Sequence, residues 1–188
     1  MTYFPLFVDL KGKNILVVGG GKIAERRVKA LLGFGCRIVI ASPDLGEGLS
    51  ALVGGSGMGA QSVCWRPAFY DMSILIEETP AFVLAAAPSG VNDGVVRDCH
   101  AAGIPVNDAS DKSKCDFYFP GLVREGEAVI GVTSGGSDHR LAARLTEAVR
   151  QSVGQFFARV RKEEEEEREA QERSSGYGRA AAGSSGGD

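Results

Sequence analysis

Three consecutive glycines, Gly19-Gly20-Gly21, separate an apolar pentapeptide from a segment of helical periodicity, and that junction narrows the possible folds more than any other feature. Asn14-Ile15-Leu16-Val17-Val18 has the continuous hydrophobicity of a strand covered on both faces, as in a parallel sheet. Beyond the glycines, Ile23, Val28, Leu31 and Leu32 share one helical face, with Glu25, Arg26, Arg27 and Lys29 largely outside it. Gly33 and Gly35 end that helix. The run from Gly19 to Ala24 has the pattern G-x-G-x-x-A. Gly19 permits a tight strand-to-helix turn, Gly21 lets a pyrophosphate approach the backbone, and Ala24 lets helix and strand pack closely. The plainer alternative is a tight turn without a ligand; the strand–loop–helix context favours a dinucleotide.

The same alternation continues. Arg37-Ile38-Val39-Ile40-Ala41 predicts a second strand, closed by Ser42-Pro43-Asp44. Residues 46–60 are glycine-rich and predict a loop with at most one helical turn. Strands are expected at Gln61–Trp65, Phe82–Ala86 and Ile104–Asn107, separated by helices near 70–78 and 90–102. Strand and helix alternating at this spacing imply an α/β fold, a parallel sheet with helices on both faces. After residue 115 the pattern breaks. Phe117-Tyr118-Phe119-Pro120, Leu122-Val123-Arg124 and Ala128–Val132 predict strands of a different sheet, with a hairpin turn at Arg124-Glu125-Gly126-Glu127. A helix from about 138 to 160 follows. This second unit is too small to fold alone, so it is expected to pair with a second chain as a homodimer. The expected division is therefore 1–115, 116–160 and a tail at 161–188. The tail's acidic first half can extend a helix; its Gly/Ser-rich end is expected to be disordered and solvated, with a charged partner-binding tail as the alternative.

Composition excludes several classes. A net charge of −3 argues against a nucleic-acid binder, and no apolar run is long enough to span a bilayer. The N-terminus lacks the basic and apolar regions of a secretory signal, so a cytoplasmic location is expected. The four cysteines form no C-x-x-C pair and there are only two histidines, so neither a disulfide framework nor a metal site is expected. Asp44 is the nearest carboxylate to the end of the second strand, with no arginine beside it for a 2′-phosphate; that favours NAD over NADP.

Several stretches together resemble the precorrin-2 dehydrogenase and sirohydrochlorin ferrochelatase family, the N-terminal region of siroheme synthases. They are Phe4–Leu10 followed by Lys13–Gly21 and Ala24-Glu25-Arg26; Ala85-Ala86-Ala87 with Val91-Asn92; Cys115-Asp116-Phe117 with Phe119-Pro120; and Gly131–Gly136. The resemblance covers roughly residues 2–155 in unbroken order. It implies a Rossmann-type domain, a small β-plus-helix dimerisation region, and NAD-dependent oxidation of the tetrapyrrole precorrin-2 to sirohydrochlorin. By position, it implies NAD contacts at Lys22-Ile23 and Pro43-Asp44, in addition to Gly19 and Gly21. It also implies that Ser134-Gly135-Gly136 lies near the substrate; a helix N-cap is the plainer alternative.

Three departures stand out. The family's aspartate, three residues after the strand-five asparagine, falls here on Ser110, flanked by Asp108 and Asp111. Asp111 is the first candidate for the substituted acid/base and Asp108 the second, the alternative being that both simply decorate a polar turn. The Ser/Thr-Pro expected after Ser-Gly-Gly is Asp138-His139. The family's C-terminal helical domain has no counterpart, so iron insertion is not expected. Lys112, Lys114, Arg124, Arg140 and Arg144 are equal candidates to meet substrate carboxylates, solvated surface charge being the expected fate of any single one. A non-catalytic sensor or scaffold dimer that binds NAD and a tetrapyrrole is the competing reading, supported by the serine at position 110.

Overall fold

The computed structural model describes residues 4–54, 62–135 and 138–181. The chain divides into two compact units, residues 1–120 with 135–137, and residues 121–134 with 138–188. In the first, strands β1 (Asn14–Val18), β2 (Arg37–Ala41), β3 (Val63–Arg66), β4 (Phe82–Ala85) and β5 (Val106–Asp108) form one sheet in the order β3-β2-β1-β4-β5. Every neighbouring pair is parallel. Helices α1 (Lys22–Leu31), α2 (Glu47–Gly54), α3 (Met72–Glu78) and α4 (Ser89–Ala102) make the connections, and a short 3₁₀ turn, Lys112–Lys114, follows β5.

The strands are apolar throughout because both faces of the sheet are covered. Side chains alternate across a strand. Ile15 and Val17 therefore join Ile38, Ile40, Ala24, Val28 and Leu49 on the α1/α2 side. Leu16 and Val18 join Val39, Val83, Ile74, Leu75, Val95 and Cys99 on the α3/α4 side. Each fully buried aliphatic side chain contributes about 1.5–3 kcal/mol of transfer free energy, so the β1 pentapeptide anchors both cores at once.

The second unit is a β-hairpin, β6 (Gly121–Glu125) and β7 (Ala128–Val132), followed by the 43-residue helix α5 (His139–Ala181). Asp138 caps α5, its Oδ1 accepting from the Arg140 N–H at 2.8 Å and the Leu141 N–H at 3.1 Å. The Arg150 guanidinium donates to the Leu122 carbonyl, and Arg161 to Glu125. Only Val123 and Thr146 are buried among this unit's described residues, whereas Leu141, Leu145 and Phe156 stay 41–51% exposed.

Several expected boundaries move. Residues 117–120 form no strand. Phe117 instead packs edge-on against Phe82 at 5.1 Å, and the Arg27 guanidinium lies over the Phe119 ring at 4.4 Å, so the aromatic pattern is satisfied by packing rather than by pairing. The stretch expected as loop carries α2, two helical turns, because Leu49 enters the core. Strand β5 is shifted to Val106–Asp108, since Pro105 has no N–H to give a ladder. Helix α5 runs on through the acidic stretch. Gln61 of the expected third strand and the final residues 182–188 lie outside the described residues. No helix among the described residues is long and apolar enough to cross a membrane.

Candidate functional site

The sheet order reverses between β1 and β4: the chain leaves β1 toward β2 and leaves β4 toward β5. At such a switch point the loops at the carboxyl ends of the two strands diverge and open a crevice. Four loops leave the carboxyl ends of these neighbouring parallel strands: Gly19–Gly21 after β1, Ser42–Asp44 after β2, Ala86–Pro88 after β4 and Ala109–Asp111 after β5.

The glycines have three distinct tasks. Gly19 has φ +118°, and a Cβ there would lie 2.5 Å from the Ala86 carbonyl oxygen, so only glycine lets the β1 and β4 loops approach each other. Its N–H donates to the Ala41 carbonyl at 2.9 Å, and the Ala86 N–H donates to the Val18 carbonyl at 2.8 Å. A Cβ on Gly20 would run into the Asp44 carbonyl and come within 2.7 Å of Ser42 Oγ. At Gly21 it would meet nothing within 4 Å. Gly21 is the N-cap of α1 and offers no capping side chain; Gly21, Lys22 and Ile23 are exposed. The first turn of α1 thus presents backbone N–H groups and the positive end of the helix dipole to open space. That cradle fits a pyrophosphate. Contact of Gly20 with Asp44 brings the Pro43-Asp44 loop to the same spot, with both residues exposed. The residues expected to contact NAD, Gly19, Gly21, Lys22, Ile23, Pro43 and Asp44, lie on the β1 and β2 loops and the first turn of α1. Gly20 was given no role by the motif, and its signal was the uninterrupted run of three glycines.

The end of β5 carries a polar network. Asp108 is 3% exposed and Asn92, on α4, is fully buried. Asp108 Oδ1 accepts from the Ser110 N–H at 2.7 Å, from Ser110 Oγ at 2.6 Å and from Asn92 Nδ2 at 3.0 Å. Asn92 Nδ2 also donates to Ser110 Oγ at 3.0 Å, while its Oδ1 accepts from the Ala87 N–H at 3.0 Å. Asn92 therefore ties the β4 loop to the β5 loop. Asp108 Oδ2 and Asn107 Oδ1 are buried without a partner among the described residues. Asn107 spends its Nδ2 on the Phe117 carbonyl at 2.8 Å.

Asp111 is differently placed. It is the N-cap of the 3₁₀ turn, its Oδ1 accepting from the Ser113 N–H at 2.9 Å and from Ser113 Oγ at 2.6 Å. Lys114 Nζ stands 3.5 Å from its Oδ2 and pairs more closely with Asp93, at 2.6 Å. The Ser113 hydrogen bonds, with Lys114 second, hold the Asp111 carboxyl below its usual range. Burial pushes the Cys115 thiol up and brings the Arg27 guanidinium down to about 10, with Arg26 adding to the latter.

Ser134 Oγ donates to the Asp138 carbonyl at 2.7 Å, and Gly135 has φ +69°; Gly136 lies outside the described residues. Among the described residues no group of three His, Cys, Asp or Glu side chains could hold a metal ion.

Residues 6–121 match a family described as "Putative NAD(P)-binding". The chain is 33% identical to the siroheme synthase of Saccharophagus degradans over 85% of its own length and 34% of that protein. It is 32% identical to the siroheme synthase of Nitrosococcus oceani, over 86% of this chain and 35% of that one. It thus spans about a third of the length of these relatives. Among solved structures, SirC, a precorrin-2 dehydrogenase, matches 80% of this chain and 71% of its own with a TM-score of 0.63. At 24% identity, that is a likeness of fold.

Proposed function

This chain belongs to the NAD(P)-binding family that matches residues 6–121, and we propose that it uses NAD to oxidise precorrin-2 to sirohydrochlorin. The observation that carries the substrate is the 33% identity to a siroheme synthase over 85% of this chain. Support for the cofactor comes from the open α1 N-terminus behind Gly21. There the N–H groups of the first turn hold the pyrophosphate, and Asp44, exposed at the end of β2, accepts from a ribose hydroxyl. Bound NAD supplies the ring that takes the hydride. What remains for this chain's own side chains is the proton lost together with that hydride, and the carboxylates at the end of β5, Asp108 and Asp111, are the groups available to it. Ser134, Gly135 and Gly136 are the residues we assign to substrate contact. The working form is a cytoplasmic homodimer built through the second unit, whose exposed Leu141, Leu145 and Phe156 need a cover.

The test is an anaerobic assay of the purified chain with precorrin-2 and NAD, following NADH and sirohydrochlorin. Equimolar appearance of both is the expected result. Tight binding of NAD and tetrapyrrole without any turnover would overturn the enzyme in favour of a sensor or scaffold.

A further inference from the structure

Ser110 stands where the resemblance puts an aspartate, and the structure gives that serine an uncommon setting. Its side chain is exposed, yet its hydroxyl is hydrogen-bonded inward, donating to Asp108 Oδ1 at 2.6 Å and accepting from Asn92 Nδ2 at 3.0 Å. Behind it, Asp108 is almost fully buried, and three donors converge on its Oδ1, two of them from Ser110 itself. Asp108 Oδ2 is buried without a hydrogen-bond partner among the described residues. A carboxylate sealed in this way cannot meet a macrocycle directly. It can, however, take a proton through the Ser110 hydroxyl, which among the described residues joins it to the surface. Asn92 fixes the geometry, because one Nδ2 group donates both to the serine and to the carboxylate while its Oδ1 is held by the Ala87 N–H.

We propose that Ser110 and Asp108 form a two-residue proton relay that does the work of the missing aspartate, with Asn92 as its positioning residue. This rests on the dehydrogenase reading above. The balance is simple. One substrate C–H bond breaks with its electron pair leaving as hydride to NAD. A second, acidic substrate X–H bond breaks with its proton going to Ser110 Oγ, and the Ser110 proton passes to Asp108 Oδ1. The macrocycle loses one hydride and one proton, a two-electron oxidation; NAD⁺ becomes NADH, and Asp108 later returns its proton to water by the same route. On this account Asp111, engaged with Ser113 and Lys114, is a cap and not the base.

The experiment compares Ser110→Ala, Ser110→Thr, Asp108→Asn and the Ser110→Ala/Asp108→Asn double variant in the anaerobic assay, alongside titrations of NAD and of sirohydrochlorin. Expected are a fall in kcat of about 100-fold for Ser110→Ala, the usual size of a lost acid–base step, with both binding constants unchanged, and substantial recovery in Ser110→Thr. The double variant should be no slower than the slower single variant, since two members of one relay do not add. In the ligand-free protein, the infrared carboxylate band assigned by Asp108→Asn should shift in Ser110→Ala but not in Ser113→Ala. Wild-type protein without turnover would sink the dehydrogenase reading itself. A turning-over wild type matched by Ser110→Ala, additive losses in the double variant, or an unmoved infrared band would overturn the relay. Because Ser110 is exposed, its variants test the idea even if Asp108→Asn fails to fold.

Discussion

A methyl group at Gly19 and one at Gly21 would have opposite consequences, although the two residues are neighbours but one. At Gly19 the backbone sits at φ +118° and the Ala86 carbonyl oxygen would be 2.5 Å from the new carbon. Gly19→Ala should therefore cost about 1–3 kcal/mol of stability through strain and overlap. At Gly21 the φ of −90° suits any residue and the added carbon meets only open space. Gly21→Ala should cost no more than about 1 kcal/mol, as an N-cap change. Yet it should weaken NAD binding by about tenfold or more, because the methyl occupies the approach to the helix N-terminus. Urea midpoints and NAD titrations on the two variants separate folding from binding. A Gly21→Ala variant that binds NAD as tightly as the parent would show that the cradle is not used.

At the scale of elements, the strands that feed the crevice were legible because burial on both faces leaves an unbroken apolar run, as in β1 and β2, whose observed limits coincide with the expected ones. Residues 117–120 misled because alternating aromatics look the same whether they pair in a ladder or pack on a core, and here Phe117 and Phe119 pack. The tight turn at the glycines was legible since the residues that make it are adjacent in the chain. The Asn92–Asp108–Ser110 network was not, because Asn92 lies on α4 and Asp108 at the end of β5, and only the packing of α4 beside β5 brings them together. The 3₁₀ turn after β5 offers a direct test of what Asp111 does. Its carboxyl is held below the ordinary 3.8 mainly by Ser113, so the unfolded chain binds its proton more readily than the folded one. The stabilisation is then present above the ordinary value and is lost as pH falls through the lowered one. Asp111→Ala should be less stable than the parent at neutral pH, and the gap should close as the solution is taken below 3.8. If Ser110 and Asp108 carry the proton, the same variant should keep most of its neutral-pH turnover. A gap that persists in strong acid would mean the carboxylate's charge is not what caps the turn.

At the scale of the whole molecule, the two units differ in what they can do alone. The first closes a core on each side of its sheet. The second has a two-stranded hairpin and one helix, with Val123 its only buried apolar residue among those described; a hairpin so thinly covered is marginal by itself. On α5, Leu141 and Leu145 are one helical turn apart and 45% and 41% exposed, so they project from the same stripe. A second copy of the same helix is the simplest cover, because a two-fold axis lets one apolar stripe bury its own image. The chain of 19.8 kDa should accordingly sediment with twice that mass at micromolar concentration. Leu141→Glu combined with Leu145→Glu puts facing carboxylates across the axis and should shift the species to monomer, leaving the far-ultraviolet signal of the sheet in place. NAD binding, which the first unit supports from its own residues, should survive that dissociation. A monomeric parent, or a double variant that remains dimeric, would take the interface away from this face of α5 and leave its apolar stripe unexplained.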